Sequence, residues 1–237
     1  MTLWCGSGRS GRERLRSDSE CSSYEEESKI VVVGCAGVGK TALCHIFVNG
    51  DTNSRKNTIQ KSARARRAEF DTWETVDGET CCLRLFELRM AANGDDDEQI
   101  VRSLAQNADG FLLVYSITSR QSFGAVSRVY DEIHRIRNNK DTPLVLVGNK
   151  GDAIHNREVL VSDGRDLAFE MGTAFYECST KSDFGQVNSI FHDVIRQVRC
   201  VRSRSRAEEQ TCNKVRGFIH RLSFKKRSRS LKRHSTD

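Results

Sequence analysis

The residues of this chain that are best suited to chemistry form a glycine-rich run in its N-terminal quarter. The pattern G-x-x-x-x-G-K-S/T is satisfied by Gly34-Cys35-Ala36-Gly37-Val38-Gly39-Lys40-Thr41. Backbone N–H groups of such a run can surround phosphate oxygens, Lys40 supplies a positive charge, and the Thr41 hydroxyl can bind Mg²⁺. The run separates an apolar stretch from an apolar-periodic one, as a strand-loop-helix unit requires. We therefore predict a phosphate-binding loop, with the following Ala42 also in contact.

A second polar run lies about 110 residues further on and could select a base. Asn149-Lys150-x-Asp152 follows the apolar stretch "LVLV". The two oxygens of a carboxylate match the adjacent N1–H and N2–H₂ donors of guanine, and adenine has no such pair. The Lys150 stem can lie over the purine, and Asn149 can tie this run to the phosphate loop. We predict guanine recognition here.

Both runs need a scaffold, and the hydrophobic pattern indicates an α/β fold. From Lys29 onward it predicts six strands and five helices in the order β-α-ββ-α-β-α-β-α-β-α, with a hairpin turn at Asp77-Gly78. Near-continuous apolar strands are typical of a mostly parallel sheet with helices on both faces. We expect three layers with one antiparallel hairpin at an edge, and ligands at the carboxyl ends of the strands.

Composition divides the 237 residues into three parts. Residues 1–28 are polar and are predicted to be disordered, 29–200 form the domain, and 201–237 form a basic tail. From Arg199 onward there are 13 Lys or Arg against 3 Asp or Glu, whereas the rest of the chain has a net charge of −4. The tail is therefore expected to meet an acidic partner.

Localisation signals point to the cytosol. The sequence has no signal-peptide core and no apolar run long enough for a membrane span. Its nine cysteines show no C-x-x-C spacing, which favours reduced thiols.

Residues 29–200 resemble a Ras-superfamily small GTPase in element order, phosphate loop and N-K-x-D motif. A third motif, Ser179-Thr180-Lys181, is similar to the S-A-K loop of that family, whose backbone N–H meets guanine O6. The resemblance implies a P-loop NTPase fold, a monomer, and GTP or GDP with Mg²⁺ as cofactors.

The first switch of the resembling family presents a threonine that binds Mg²⁺. Thr58 stands 17 residues after Thr41 and is the candidate for this metal ligand. The alternative is a plain exposed loop threonine. The segment "QKSARARRAEF" then adds about six residues compared with the family.

The second switch of the family reads D-x-x-G followed by a glutamine that orients the attacking water. This chain offers Glu87-Leu88-Arg89-Met90 when counted from the hairpin, or Asn93-Gly94 when counted back from the next strand. Both registers lack the glutamine. In the phosphate loop, Ala36 replaces a glycine that an incoming arginine finger approaches closely. We therefore predict a nucleotide binder with weak hydrolysis.

The tail contains an amphipathic segment, residues 214–226. An apolar stripe at i, i+3, i+4 and i+7 is formed by Val215, Phe218, Ile219 and Leu222. The basic residues around it include Lys225, Lys226 and Arg227. This pattern favours an anionic membrane surface or calmodulin as partner, and a solvated or nuclear-localising tail is the alternative. Nucleic acid is not expected.

Three features together resemble the RGK branch (Rad, Gem, Rem) of the superfamily. They are the eroded second switch, the extensions with a basic tail that lacks a prenylation box, and the stretch "NREVLVSDGRDLAFEMGTAFYECS". This resemblance implies association with the plasma membrane, binding of calmodulin and 14-3-3, and inhibition of voltage-gated calcium channels through their β subunit. A Rit-like signalling GTPase, or a scaffold with permanently bound nucleotide, are the alternatives.

Overall fold

One mixed sheet forms the centre of the protein. The computed structural model describes residues 27–50, 58–60, 67–90, 98–138 and 141–231. Within them the sheet has the strand order β2-β3-β4-β1-β5-β6-β7. The strands are β1 (Glu27–Cys35), β2 (Thr58–Gln60), β3 (Arg67–Val76), β4 (Glu79–Met90), β5 (Gly110–Ser116), β6 (Leu144–Asn149) and β7 (Ala174–Glu177). Strand β3 is antiparallel to both its neighbours, and all other pairs are parallel.

Helices cover both faces of this sheet. They are α1 (Lys40–Asn49), α2 (Glu98–Asn107), α3 (Arg120–Arg137), α4 (Val161–Met171) and α5 (Phe184–Leu231). Helices α1 and α5 bury one apolar core against the sheet, where the Phe47 and Phe191 rings stack with centroids 4.1 Å apart. The other three helices bury the second core. The predicted α/β class with three layers is therefore confirmed.

The hairpin between β3 and β4 forms where the sequence predicted it. Asp77 and Gly78 have φ angles of 55° and 84°, so both adopt the left-handed conformation. A two-residue turn of this type matches the twist of the flanking strands. The Asp-Gly pair thus fixes the register of the longest strand pair in the sheet.

Strand β2 is a seventh strand that the sequence analysis did not predict. Its three residues pair with β3 in the register Thr58 to Asp71 and Gln60 to Glu69. A strand this short carries no readable alternation, because its formation depends on an existing neighbour and not on its own pattern. Thr58, which the sequence analysis considered as a metal ligand or as a plain loop threonine, is therefore the first residue of a strand.

Helix α5 is longer than predicted. The sequence analysis placed the end of the domain at residue 200, whereas the helix continues without a break to Leu231. The tail stripe from Val215 to Leu222 therefore lies on the same helix, although its side chains fall outside the described part of the chain. Among the described helices, none combines the length and apolar character needed to cross a membrane.

The parallel strands give the domain two distinct ends. Strands β1, β4, β5, β6 and β7 all finish at one edge of the sheet, which we call the carboxyl edge, and begin at the other, the amino edge. The glycine-rich run and the Asn149 and Ser179 loops follow β1, β6 and β7, so they share the carboxyl edge.

Candidate nucleotide-binding site

Three glycines shape the end of β1 and the loop that follows it, because of close contacts at some positions and backbone conformation at others. A Cβ on Gly34 would lie 2.1 Å from the carbonyl oxygen of Val114, and one on Gly39 would lie 2.1 Å from Asn149 Nδ2. Gly37 and Gly39 also have φ angles of 77° and 100°, which side chains rarely tolerate. Close approach and backbone shape therefore both require glycine in this loop.

Lys40 occupies the centre of that loop. It is the first residue of α1 and is only 3% exposed. Its Nζ donates to the carbonyl oxygens of Gly34 at 2.9 Å and Cys35 at 2.8 Å. These bonds hold the ammonium group next to the N-terminus of α1, where free backbone N–H groups and the helix dipole already favour an anion. The arrangement is suited to phosphate.

Asn149 joins the phosphate loop to the loops after β6 and β7. The side chain is fully buried, and its Nδ2 donates to the Val38 carbonyl oxygen at 2.8 Å. Its Oδ1 accepts from the Thr180 backbone N–H at 3.4 Å. The tie between Asn149 and the phosphate loop is the contact that the sequence predicted. It places the predicted base and phosphate contacts in one rigid unit.

Asp152 is held as a charged acceptor. Its Oδ1 accepts from the Ser179 hydroxyl at 2.7 Å, and its Oδ2 lies 3.4 Å from Lys181 Nζ. The Ser179 hydrogen bond, followed by the Lys181 side chain, lowers the pKa of the carboxyl below its ordinary value. Asp152 therefore stays ionised at neutral pH and can accept two hydrogen bonds from one ligand.

Lys150 and the phosphate loop border an open cavity. A left-handed φ of 68° turns the chain at Lys150 directly after β6. Lys150, Ala36, Gly37 and Ser119, which caps α3, line a cavity of about 450 Å³. Predicted contact residues of the phosphate loop and of the loop after β6 thus border one cavity at the carboxyl edge.

A buried carboxylate meets Thr41 at the foot of the phosphate loop. The Thr41 hydroxyl donates to Glu87 Oε2 at 2.7 Å, and Glu87 is 7% exposed on β4. Sequence analysis did not assign Glu87 to the metal site. The assignment requires knowing that Glu87 lies beside Val32 of β1, which is information about strand register.

These two groups fit a magnesium ion that phosphates help to hold. A hydroxyl and a carboxylate are oxygen donors of the kind that Mg²⁺ prefers. Within the described residues, no cluster of three or more His, Cys, Asp or Glu could hold a metal without a ligand's help. Protein-bound Mg²⁺ commonly takes one or two protein groups and completes its octahedron with phosphate oxygens and water.

Comparison with known proteins agrees with this geometry. A sequence profile of the Ras family matches residues 29–200. The chain belongs to the Ras family. It is 33% identical over 230 residues to GTP-binding protein GEM of Homo sapiens and of Mus musculus, which covers 94% of this chain and 71% of each relative. It is 30% identical over 198 residues to Ras-like protein 2 of Mucor circinelloides f. lusitanicus, covering 83% of this chain and 91% of that protein. The resemblance to the RGK branch, which includes GEM, is confirmed.

The contact between Glu87 and Thr41 favours the register of the second switch that is counted from the hairpin. Because Glu87 contacts Thr41, it occupies the place of the family's aspartate, and Met90 stands where the family has glycine. Strand β4 continues to Met90, beside Cys35 of β1. The other candidate, Asn93-Gly94, lies outside the described residues.

Two groups of predicted residues are not brought into the site by the described structure. Thr58 opens β2, and its side chain lies outside the described part, so its role as a metal ligand stays a prediction. The tail residues from Val215 to Arg227 lie on α5 beyond the amino edge. They belong to the other end of the domain.

Proposed function

We propose that this Ras-family protein binds GTP and GDP with Mg²⁺, hydrolyses GTP slowly, and acts as a nucleotide-dependent regulator. The contact between Thr41 and Glu87 carries the proposal. This contact aligns β4 with the phosphate loop. The residues that follow Glu87 can therefore be compared, position by position, with the second switch of the family. The groups for holding phosphate, base and metal are present, whereas no glutamine follows Met90.

The missing glutamine affects hydrolysis more than binding. Phosphoryl transfer depends on positioning the water and stabilising charge on the phosphate, and the glutamine orients that water. Ala36 adds a Cβ on the cavity side of the phosphate loop, where the family receives an arginine finger worth roughly 10³–10⁵ in rate. Neither feature disturbs the contacts that hold the nucleotide.

Single-turnover measurements test this proposal. Purified protein is loaded with GTP, and cleavage is followed together with release of labelled GDP. We expect stable retention, with cleavage slower by on the order of 10²-fold than in a Ras-family protein that has the glutamine, the usual cost of losing one positioned polar group. Cleavage at an equal rate would contradict the proposal. Identical hydrogen-exchange patterns with GDP and a GTP analogue would favour the scaffold alternative.

We further propose that the far part of α5 binds an anionic membrane surface at the cytoplasmic face of the plasma membrane. From Ser205 onward the chain has 10 Lys or Arg against 3 Asp or Glu and includes the apolar stripe at Phe218 and Leu222. Each basic residue near an anionic leaflet contributes about 1 kcal/mol, and several together can localise a protein without a lipid anchor.

The stripe can be tested with a matched pair of double variants. Phe218→Asp with Leu222→Asp removes apolar area and is expected to abolish binding to vesicles containing phosphatidylserine. Asn213→Asp with His220→Asp adds the same charge at positions that helical spacing places off the stripe. Equal losses of vesicle binding in both double variants would reject a role for the stripe, because the added negative charge alone would then explain the loss. Calmodulin binding is measured separately with the same two double variants, which tests whether that partner also depends on the stripe.

Similarity to GEM supports a narrower role, which we propose as an extension. The protein inhibits voltage-gated calcium channels through their β subunit and is regulated by calmodulin and by 14-3-3, with the basic tail permitting a nuclear fraction. Whole-cell recording with and without co-expression of this protein tests the role. An unchanged calcium current would reject it.

A further inference from the structure

Helix α5 is fastened across the amino edge of the domain by arginines. Arg196 donates two hydrogen bonds of 2.7 Å to Asp77 in the β3–β4 turn. Arg199 donates to the carbonyl oxygens of Val76 at 2.8 Å and Glu79 at 2.9 Å. Both ends of the hairpin turn are therefore attached to the helix, by two arginines that lie about one helical turn apart.

The next turns of α5 continue the attachment to other strands. Arg202 donates to the Glu27 carbonyl oxygen at 2.8 Å and to the Ser28 hydroxyl at 3.1 Å, and lies 2.8 Å from Asp109, which precedes β5. Arg204 lies 3.6 Å from Asp141, before β6. We call Arg196, Arg199, Arg202 and Arg204 the α5 clamp. It fixes the direction in which α5 leaves the domain.

The clamp also neutralises the amino edge. Each of its arginines faces one acidic side chain, and the four acids are Asp77, Glu79, Asp109 and Asp141. A row of four unpaired carboxylates would repel any anionic surface that approached this edge. With the clamp in place, these four carboxylates are paired. The basic excess of the sequence then lies from Ser205 onward, where there are 10 Lys or Arg against 3 Asp or Glu.

We infer that the amino edge is the face of the domain that docks against an anionic lipid surface, with the clamp preparing it for contact. The inference rests on the proposed membrane binding of the tail and adds the orientation of the domain. A flexible tail would let the domain tumble, whereas a helix fastened at four points holds the amino edge toward whatever the helix binds. The phosphate loop then lies about 30 Å away, at the far end of the nine residues of β1.

Hydrogen exchange on the full-length protein tests the orientation. The protein, loaded with GDP, is compared free and bound to vesicles of phosphatidylcholine with about 30% phosphatidylserine, an anionic composition of the kind that attracts basic segments. We expect slower exchange in the β3–β4 turn and around Asp141, with no change in the loops at Lys150 and Thr180. Slowing confined to the part of α5 beyond Arg204 would overturn the inference, since the tail alone would then carry the contact. Absence of any vesicle binding would overturn the membrane proposal itself.

A pair of equal charge changes gives an independent readout. Asp141→Asn and Asp183→Asn each remove one exposed carboxylate, at the amino edge and at the carboxyl edge respectively. The amide oxygen introduced by Asp183→Asn can still accept the bond that the Asp183 carboxylate takes from the Gln186 backbone N–H. We expect Asp141→Asn to raise vesicle affinity by about fivefold, the usual effect of one charge near an anionic leaflet.

The carboxyl-edge variant is the control. Position 183 lies at the far end of the sheet from the lipid, a separation of several Debye lengths of about 8 Å. The vesicle affinity of Asp183→Asn is therefore expected to match that of the unchanged protein. Equal gains in both variants would overturn the inference, because the domain would then have no preferred face. A gain for Asp183→Asn alone would indicate docking by the opposite edge and would overturn it as well.

Discussion

Thr41 and Glu87 form a contact that persists beside a second switch that departs from its family. A glutamate stands where the family has an aspartate, and the carboxylate reaches the Thr41 hydroxyl at 2.7 Å from a buried position on β4. The added methylene is accommodated without losing the contact between the two metal-side groups. The two oxygen donors proposed to hold Mg²⁺ therefore remain in contact although the rest of the second switch has changed.

The first prediction concerns the charge on Glu87. Glu87→Gln keeps the shape and can still accept from Thr41, but it removes the negative charge beside the metal. We expect the Mg²⁺ concentration needed for GDP retention to rise by roughly tenfold or more, as for other groups that support a metal. Release of labelled GDP across buffered Mg²⁺ concentrations measures the change. Glu79→Gln, at the amino edge, serves as the control, and an unaltered Mg²⁺ requirement in Glu87→Gln would exclude this role.

The second prediction concerns the pH dependence of base binding. The Ser179 hydroxyl lowers the pKa of Asp152, and protonation of that carboxyl removes an acceptor. Guanine affinity is therefore present above the Asp152 pKa and is lost as pH falls through it. Ser179→Ala raises this pKa toward its ordinary value, so the acidic loss of GDP affinity moves to higher pH. Ser182→Ala is the neighbouring control, and identical pH profiles for both variants would disprove the coupling.

At the scale of elements, β5, β6 and α4 meet around Tyr115. The side chain is fully buried, and its hydroxyl is the one buried side-chain oxygen or nitrogen in the described part of the chain that lacks a hydrogen-bond partner. A Cβ at Gly148 or Gly164 would come within 2.8 Å or 2.6 Å of that oxygen. Two glycines therefore make room for a polar group that the packing leaves unsatisfied.

The third prediction follows from this packing. Tyr115→Phe removes the unsatisfied hydroxyl and is expected to stabilise the domain by about 1 kcal/mol. For a domain of this size the thermal midpoint rises by about 2–4 °C. The control is Tyr130→Phe. The Tyr130 hydroxyl donates to the Met171 carbonyl oxygen at 3.1 Å, so its loss is expected to make that variant less stable than the unchanged protein. Thermal unfolding of both proteins decides the matter, and destabilisation by Tyr115→Phe would refute the explanation.

The elements also show which parts of the fold the sequence can predict. The β3–β4 hairpin was predictable because Asp77-Gly78 specifies its turn locally. Strand β2 was not, since its three residues form a strand only by pairing with β3. The phosphate and base loops were readable from residue type and spacing. The role of Glu87 was not, because Glu79 on the same strand is chemically identical and only the pairing of β4 with β1 separates them.

At the scale of the whole molecule, the two edges of the sheet carry different features. The carboxyl edge carries the nucleotide loops, and the amino edge is closed by the α5 clamp. The clamp ends at Arg204, whereas α5 continues to Leu231. The helix thus has one part that belongs to the fold and another that extends beyond it.

The fourth prediction locates the boundary between these parts. A chain that ends after Glu209 retains the whole clamp, so its thermal midpoint and GDP binding are expected to match those of the full protein. A chain that ends after Val198 loses three of the four clamp arginines and is expected to unfold at a lower temperature. Differential scanning fluorimetry with GDP compares the two. Equal midpoints for both truncations would show that the clamp contributes nothing to stability.

The fit between Gly39 and Asn149 has a consequence for how this protein can change over evolutionary time. No atom larger than hydrogen fits at position 39 while an amide nitrogen occupies its place at position 149. A smaller residue at position 149 would relieve this collision, but the φ angle of 100° at position 39 would still disfavour any residue with a Cβ. Lineages of this protein are therefore expected to keep glycine at position 39 even where position 149 varies.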